Sequence, residues 1–128
     1  YCKDLTSLNL SECRQINNIS ILEHCKKLTD LNLSQGKHIN DFTFLKYCKE
    51  LTSLDLSMCY LINDFSFLQH CKELTSLSLA SCRQIHDFSF LQYFKGLVTF
   101  IMPQCEQNND INIQLLWDRG VSIVGWKS

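Results

Sequence analysis

A period of 23 residues runs through most of this 128-residue chain, and it limits the folds that the chain can adopt. Cysteines recur in two columns of the period: Cys2, Cys25, Cys48 and Cys71, then Cys13, Cys59, Cys82 and Cys105, with Gly36 in the vacant place. The three main apolar columns are Leu5, Leu28, Leu51, Leu74 and Leu97; Leu8, Leu31, Leu54, Leu77 and Phe100; and Leu10, Leu33, Leu56, Leu79 and Met102. Such self-similarity indicates a solenoid. Its stacked repeats bury together the apolar surface that one repeat cannot bury alone.

Two spacings of apolar residues alternate within each repeat. In "LTSLDLSMC" (51–59), leucines alternate with other residues, which predicts a half-buried strand. In "NDFSFLQHC" (63–71), the residues Phe65, Leu68 and Cys71 are three apart and fall on one face of a helix. The segment is only about two turns long, so α and 3₁₀ helix are both left open. The residues predicted to cap these helices are Asn18, Asp41, Asp64 and Asp87.

Stretches such as "LTSLDLSMC", each followed by a "C-x-x-I" step, resemble the leucine-rich repeat family, and its cysteine-containing branch in particular. The repeat length of 23 residues and the stretch "INDFSFL" are similar to short bacterial and protozoan repeats. The resemblance implies an α/β leucine-rich-repeat solenoid, with a short parallel sheet on the concave side and short α or 3₁₀ helices on the convex side. The usual sense of strand–crossover–strand connections predicts a right-handed solenoid.

The repeats also predict how the domain is organised. Residues 1–128 are expected to form one leucine-rich-repeat domain of about five repeats, regular over 1–93. Residues 94–128 are expected to form a degenerate repeat and a C-terminal closing unit. There, "LLWDRGVSIVGW" predicts a helix, a stop at Gly120 and a last strand with Ile123 pointing inward. The chain starts inside a repeat without a polar cap, so the N-terminal face is expected to be open to an upstream repeat or to a second copy.

The composition argues against two classes of partner. The 12 basic and 13 acidic residues give a formal net charge of −1, which supplies no attraction to nucleic acid or to an anionic membrane. No apolar run reaches the roughly 20 residues that a membrane-spanning helix requires. The sequence therefore predicts neither a nucleic-acid nor a membrane partner.

Four interpretations of the cysteines compete. Both columns are predicted to hold buried structural thiols, and the resemblance implies that the column after each strand bonds backbone carbonyls at the turn. Disulfides are not excluded by distance, because stacked strands lie about 4.8 Å apart. However, columns that run through the repeats fit side-chain packing better than pairing. Zinc is disfavoured, because no C-x-x-C occurs and His24 and His70 alternate with tyrosines. A nucleophile should be singular, whereas each of these cysteines is one of a series.

The sequence thus predicts no catalytic residue, no metal and no cofactor, and a protein that is not an enzyme. Repeated free thiols are typical of a reducing compartment, so an intracellular, cytoplasmic location is expected. The glycosylation sequons at Asn9 and Asn32 agree with this, because glycans one strand spacing apart would crowd each other.

Outward-facing residues on the strands and adjoining turns are the candidates for binding. The predicted partner-binding residues are Arg14, Asp30, Asn32, Asp55, Met58, Tyr60 and Arg83. The alternative is that the small polar residues only keep the sheet soluble. The resemblance implies a non-enzymatic module that recognises a protein partner through the concave face and adjoining turns. A second hypothesis is a structural repeat that forms a homo-oligomer through its uncapped N-terminal repeat.

Overall fold

The computed structural model describes residues 3–13, 15–103 and 110–125, and its centre is a parallel sheet of six strands. The strands stand in chain order, as expected when each repeat stacks on the one before it. They are β1 (Ser7–Asn9), β2 (Asp30–Asn32), β3 (Ser53–Asp55), β4 (Ser76–Ser78), β5 (Thr99–Ile101) and β6 (Ser122–Val124). Between the first five strands the chain forms the 3₁₀ helices η1 (Ser20–His24), η2 (Thr43–Tyr47), η3 (Ser66–His70) and η4 (Ser89–Tyr93). This alternation confirms the predicted leucine-rich-repeat solenoid.

The central residue of each strand points into the core and pairs in register with its equivalent in the next repeat. The resulting column is Leu8, Leu31, Leu54, Leu77, Phe100 and Ile123. On the helical side, phenylalanine rings link successive repeats, with centroids 5.1 Å apart for Phe42 and Phe67 and 5.9 Å apart for Phe65 and Phe90. The core is therefore continuous along the solenoid, as the repeat pattern predicts.

The first repeat is less well covered than the others. Leu5, Leu8, Leu10 and Ile16 are only partly buried, whereas Leu28, in the same column as Leu5, is fully buried. The difference arises because the described chain has no repeat on the outer side of β1.

The convex helices are 3₁₀ helices, and their predicted caps need a correction. Backbone bonds span three residues, as from Leu45 N–H to Phe42 O at 3.1 Å. The aspartates are not the N-cap residues themselves but precede them by one position. Asp64, for example, accepts a hydrogen bond through Oδ1 from the N–H of Ser66, the first helical residue, at 2.9 Å. The N-cap residues are Ile19, Phe42, Phe65 and Phe88, and none makes a side-chain capping bond. The aspartates thus form Asx turns that satisfy a donor at the start of each helix.

The turn after each of the first four strands contains a residue in the left-handed conformation. Met58 N–H still donates to Ala80 O of the next repeat at 2.9 Å, and the chain then reverses so that Cys59 N–H reaches Leu56 O at 3.2 Å. The left-handed residues and their φ angles are Glu12 (64°), Gln35 (63°), Met58 (60°) and Ser81 (62°). This conformation costs an L-residue roughly 1–2 kcal/mol, so stacking holds these turns against a local preference.

After β5 the repeat pattern changes. The α-helix α1 (Ile111–Asp118) begins after Asp110, whose Oδ1 accepts a hydrogen bond from Asn112 N–H at 2.8 Å. Gly120 has a φ of 85° and precedes β6, whose Ile123 packs against the core. The predicted helix, stop and last strand are all present. Within the described residues, no helix is both long and apolar enough to cross a membrane.

Substitutions at Met58 test the left-handed turn. We expect Met58→Val to lower the free energy of unfolding by about 1 kcal/mol, because a β-branched side chain tolerates this conformation poorly. Met58→Gly should be neutral or stabilising, because glycine adopts positive φ without strain. Urea denaturation of both variants measures the difference.

Tyr60 provides the matched control, because it is not among the residues with positive φ. There the order should reverse, with Tyr60→Gly less stable than Tyr60→Val. Equal stability of Met58→Val and Met58→Gly would contradict strain at this turn.

Candidate binding surface

The side of the sheet that faces away from the core is built from the first and third residues of each strand, and we call it the sheet face. Because the strands pair in register, these residues form two straight rows with a spacing of about 4.8 Å. The first row is Ser7, Asp30, Ser53, Ser76, Thr99 and Ser122. The second row is Asn9, Asn32, Asp55, Ser78, Ile101 and Val124. The structure thus brings the predicted residues Asp30, Asn32 and Asp55 together on one face.

Two of these predicted residues also have a structural role that the sequence analysis missed. Asn32 Oδ1 accepts a hydrogen bond from Ser34 N–H at 2.9 Å, and Asp55 Oδ1 accepts one from Ser57 N–H at 2.9 Å. Asn9 does the same for Ser11 at 2.8 Å. An asparagine or aspartate at the end of each of these predicted strands, just before the turn, is the sequence signal that could have identified these Asx turns. The bonds hold the side chains in place at the end of each strand.

A second group of predicted residues lies on the turn beyond the strands. Met58 occupies the left-handed position, Tyr60 is 39% exposed, and Arg83 is exposed. We call this surface the turn rim and include two residues that the sequence analysis did not select. Lys37 places its Nζ 5.9 Å from the ring centroid of Tyr60, and Leu61 is exposed beside it. The predicted residue Arg14 lies outside the described residues.

Both candidate regions are charged, and their charges differ in sign. Asp30 and Asp55 are the charged residues of the sheet face, whereas Lys37 and Arg83 give the turn rim a positive charge. Lys37 and Arg83 belong to the same column of the repeat as Tyr60. The position of Lys37 in the same column as Tyr60 could therefore have identified it from the sequence. Lys37 lies in the repeat before Tyr60 and contacts its ring.

The cysteines after the strands bond backbone carbonyls of the preceding repeat, as predicted. Cys59 Sγ donates to Leu33 O at 3.3 Å, and Cys82 Sγ donates to Leu56 O at 3.2 Å. Burial raises the pKa of the Cys59 thiol to about 12 and that of the Cys82 thiol to about 11. These thiols stay protonated at neutral pH, which makes them donors to the backbone and poor nucleophiles.

The other cysteine column is buried beside the 3₁₀ helices. Cys48 Sγ lies 3.7 Å from Leu22 O and 3.8 Å from Cys25 O, in the geometry of a weak thiol donor. Burial raises the pKa of Cys48 to about 11 and that of Cys71 to about 12. The buried cysteines of both columns therefore act as structural thiols within the core: Cys25, Cys48, Cys59, Cys71 and Cys82.

The prediction of buried thiols is wrong for Cys13, which is exposed. Its column is buried only where a preceding repeat covers it, and the described chain has none before Cys13. Cys2 and Cys105 lie outside the described residues. In the parts of the chain that the structure describes, no three His, Cys, Asp or Glu side chains are grouped so as to hold a metal ion.

The architecture is that of a leucine-rich-repeat solenoid, a fold that commonly binds proteins and is typically non-catalytic. It is similar to an internalin (inlF) from Listeria monocytogenes str. 4b F2365, with a TM-score of 0.76, 20% sequence identity and coverage of 95% of this chain and 34% of that chain. It is also similar to an internalin C2 (inlC2) from the same strain, with a TM-score of 0.63, 18% identity and coverage of 95% of this chain and 61% of that chain.

The match thus spans less than two thirds of the length of each internalin, and at these identities the similarity concerns the fold. No protein-family model and no curated protein matches the sequence.

The raised thiol pKa values predict that the protein loses stability in alkaline solution. An unfolded thiol releases its proton near pH 9.0, whereas folded Cys59 and Cys82 keep theirs to about pH 12 and about pH 11. The stabilisation is therefore complete below pH 9 and is lost as the pH rises through this window. We expect Cys59→Ala to reduce the fall in unfolding free energy between pH 8 and pH 10 by about 1 kcal/mol.

Urea denaturation in the presence of reductant at several pH values measures this slope. Cys13→Ala is the matched control, because the Cys13 side chain is already exposed. The same slope in Cys59→Ala and the unsubstituted protein would contradict the assignment of Cys59 as a buried, protonated donor.

Proposed function

We propose that this protein is a non-enzymatic module that recognises a protein partner through the sheet face and the turn rim. The observation that carries the proposal is the bare sheet face. Parallel sheets are normally covered on both faces, but within the described residues the helices lie on one side only. In solenoids such an uncovered, extended face is the usual binding surface. The same predicted residues stand in this proposal: Asp30, Asn32, Asp55, Met58, Tyr60 and Arg83, together with Arg14.

The size of the sheet face supports a role for the turn rim. Six strands cover about 24 Å at a spacing of about 4.8 Å, and each exposes about 10 Å of its length. The product is about 240 Å², well below the roughly 800 Å² that each partner buries in a standard interface. Tyr60 and Arg83 add the residue types that dominate binding energy in protein interfaces.

A reducing, intracellular location agrees with this function. Cys59 and Cys82 use their thiol hydrogens to satisfy backbone carbonyls, and oxidation would remove those donors. Free thiols in this role are typical of proteins kept under reducing conditions.

Site-specific photo-crosslinking tests the proposal. Benzoylphenylalanine placed at Ser53 or Ser76 projects from the sheet face, and the same residue at Lys49 or Lys72 projects from an exposed position outside it. After irradiation in extracts of cells that express the protein, we expect a discrete adduct from the sheet positions only. Thermal denaturation of each labelled protein checks that it is folded. Adducts that form equally well, or only, from Lys49 and Lys72 would overturn the proposal.

A second candidate function, self-assembly, is favoured by the partly buried first repeat. Leu5, Leu8 and Leu10 keep apolar surface exposed at the edge of the core, and β1 is an edge strand of the described sheet. Exposed strand edges pair readily with other chains. A second copy that pairs edge to edge through β1 would bury this surface by two-fold symmetry.

Light-scattering mass across a concentration series distinguishes this candidate. Pairing through β1 predicts a dimer at high concentration that is insensitive to reductant and is lost in Leu8→Lys. Lys49→Glu, at an exposed position away from the edge, should leave the dimer intact. A monomer at every concentration would refute self-assembly, and a dimer lost on reduction would point to Cys13 instead.

A further inference from the structure

The second row of the sheet face changes chemically from one end to the other. Asn9 and Asn32 are followed by the negative charge of Asp55, then by the small, largely buried Ser78. The row ends in two apolar residues, Ile101 and Val124, on β5 and β6. Because the residues pair strand by strand, these four types of surface lie on one straight line across the sheet.

The acidic part of this line is available to a partner. Asp30 lies one strand from Asp55, and within the described residues neither carboxylate forms an ion pair. Asp55 is held through Oδ1 by Ser57 N–H, which leaves its second oxygen to accept another donor. A side chain that is already fixed loses little conformational entropy on binding. A cationic group therefore suits this position.

The apolar part of the line is more exposed than the fold requires. Val124 is 52% exposed, and Val98, which precedes β5, is 61% exposed. In earlier repeats the position of Val98 is a threonine whose hydroxyl donates to the repeat before it, as Thr75 Oγ1 does to Thr52 O at 3.2 Å. Val98, which lies beside this line, replaces such a threonine with exposed hydrocarbon, and the half-buried Ile101 takes the place of the polar residues found in the second row on β1 to β4. A partner that covered them would remove this apolar surface from solvent.

The distance between the acidic and the apolar part of this line favours an extended segment in the partner. Asp55 and Val124 are three strands apart, about 14 Å at a spacing of about 4.8 Å per strand. In an extended peptide, residues i and i+4 point to the same side and lie about 13 Å apart. A peptide that lies straight across the strands therefore matches both ends of the line.

We propose that the partner presents an extended segment with a lysine or arginine that binds Asp55 and Asp30, and a large apolar residue four positions away that covers Ile101 and Val124. This inference rests on the proposed function, since it specifies the partner of the same sheet face. Asp30 and Asp55, the charged residues of the sheet face, lie on neighbouring strands at one end of this line, so a single cation at one end of the segment is favoured.

Selection from a library of random dodecapeptides displayed on phage tests this inference. We expect enriched peptides to share a basic residue and an apolar residue at a spacing of four. Asp55→Asn should weaken their binding about fivefold, because a charge-assisted hydrogen bond becomes a neutral one. Asparagine preserves the turn, since Asn9 and Asn32 make the same bond to the backbone. Ile101→Ser, which copies Ser78, should also weaken binding.

Two further variants separate the failure of this inference from the failure of the proposed function. Glu50→Gln removes one negative charge at an exposed position outside the sheet face and should leave binding unchanged. Ser76→Trp blocks the centre of the sheet face and should abolish binding; thermal denaturation confirms its folding.

Peptides that are blocked by Ser76→Trp but lack the basic residue, or are insensitive to Asp55→Asn, would overturn the charge assignment alone. Enrichment of acidic peptides would indicate binding at the turn rim and would also overturn the charge assignment. Peptides that bind Ser76→Trp normally, or a library without enrichment, would count against both the inference and the proposed function.

Discussion

Burial of apolar side chains between stacked repeats is the interaction on which the rest of this structure depends. A strand of three residues and a 3₁₀ helix of five residues have no stability in isolation. They are ordered because Leu31, Leu54 and Leu77 pack on one another from repeat to repeat and are almost fully buried. The same dependence explains the first repeat, where Leu8 has a neighbour on one side only and Cys13 is exposed.

Stacking also determines where the backbone polar groups find partners. The carbonyl of Leu33 accepts a hydrogen bond from Cys59, and Thr52 Oγ1 donates to Thr29 O at 3.0 Å. Each of these bonds joins one repeat to the next, so part of the hydrogen bonding at a turn forms only when the neighbouring repeat is in place. Core burial and polar satisfaction are therefore lost together when a repeat unfolds, which favours cooperative behaviour in a short solenoid.

The fold requires certain hydrogen bonds at the sheet face, but it leaves the charge and polarity of several residues there free to vary. Asp55 and Asn32 both support the turn, and either residue type can do so. The charge of Asp55 is thus not required by the fold, and a surface property can vary there at little cost to stability. The same holds for Ile101, whose equivalents on β1 to β4 are polar. Variation at positions where the fold accepts several residues is what a recognition surface requires, and it motivates the proposed peptide chemistry.

The sequence by itself determined the fold class, the order of strands and helices, and which column of each repeat points inward. It could do so because the period of the apolar residues reports directly on side-chain direction. It also predicted that Cys59 and Cys82 bond carbonyls, although only through family resemblance. Of the candidate site, the sequence indicated which residues face outward, such as Asp30 and Tyr60, but not how they are held.

Only the tertiary structure decided that the convex helices are 3₁₀, that Met58 adopts a left-handed conformation, and that Lys37 lies over Tyr60. The physical reason is that these features depend on contacts with the next or the preceding repeat. Met58, for example, bonds Ala80 across the stack, and no local signal such as glycine marks its turn. A periodic pattern encodes which side chains are buried, whereas a polar partner that lies in a neighbouring repeat appears only once the repeats are stacked.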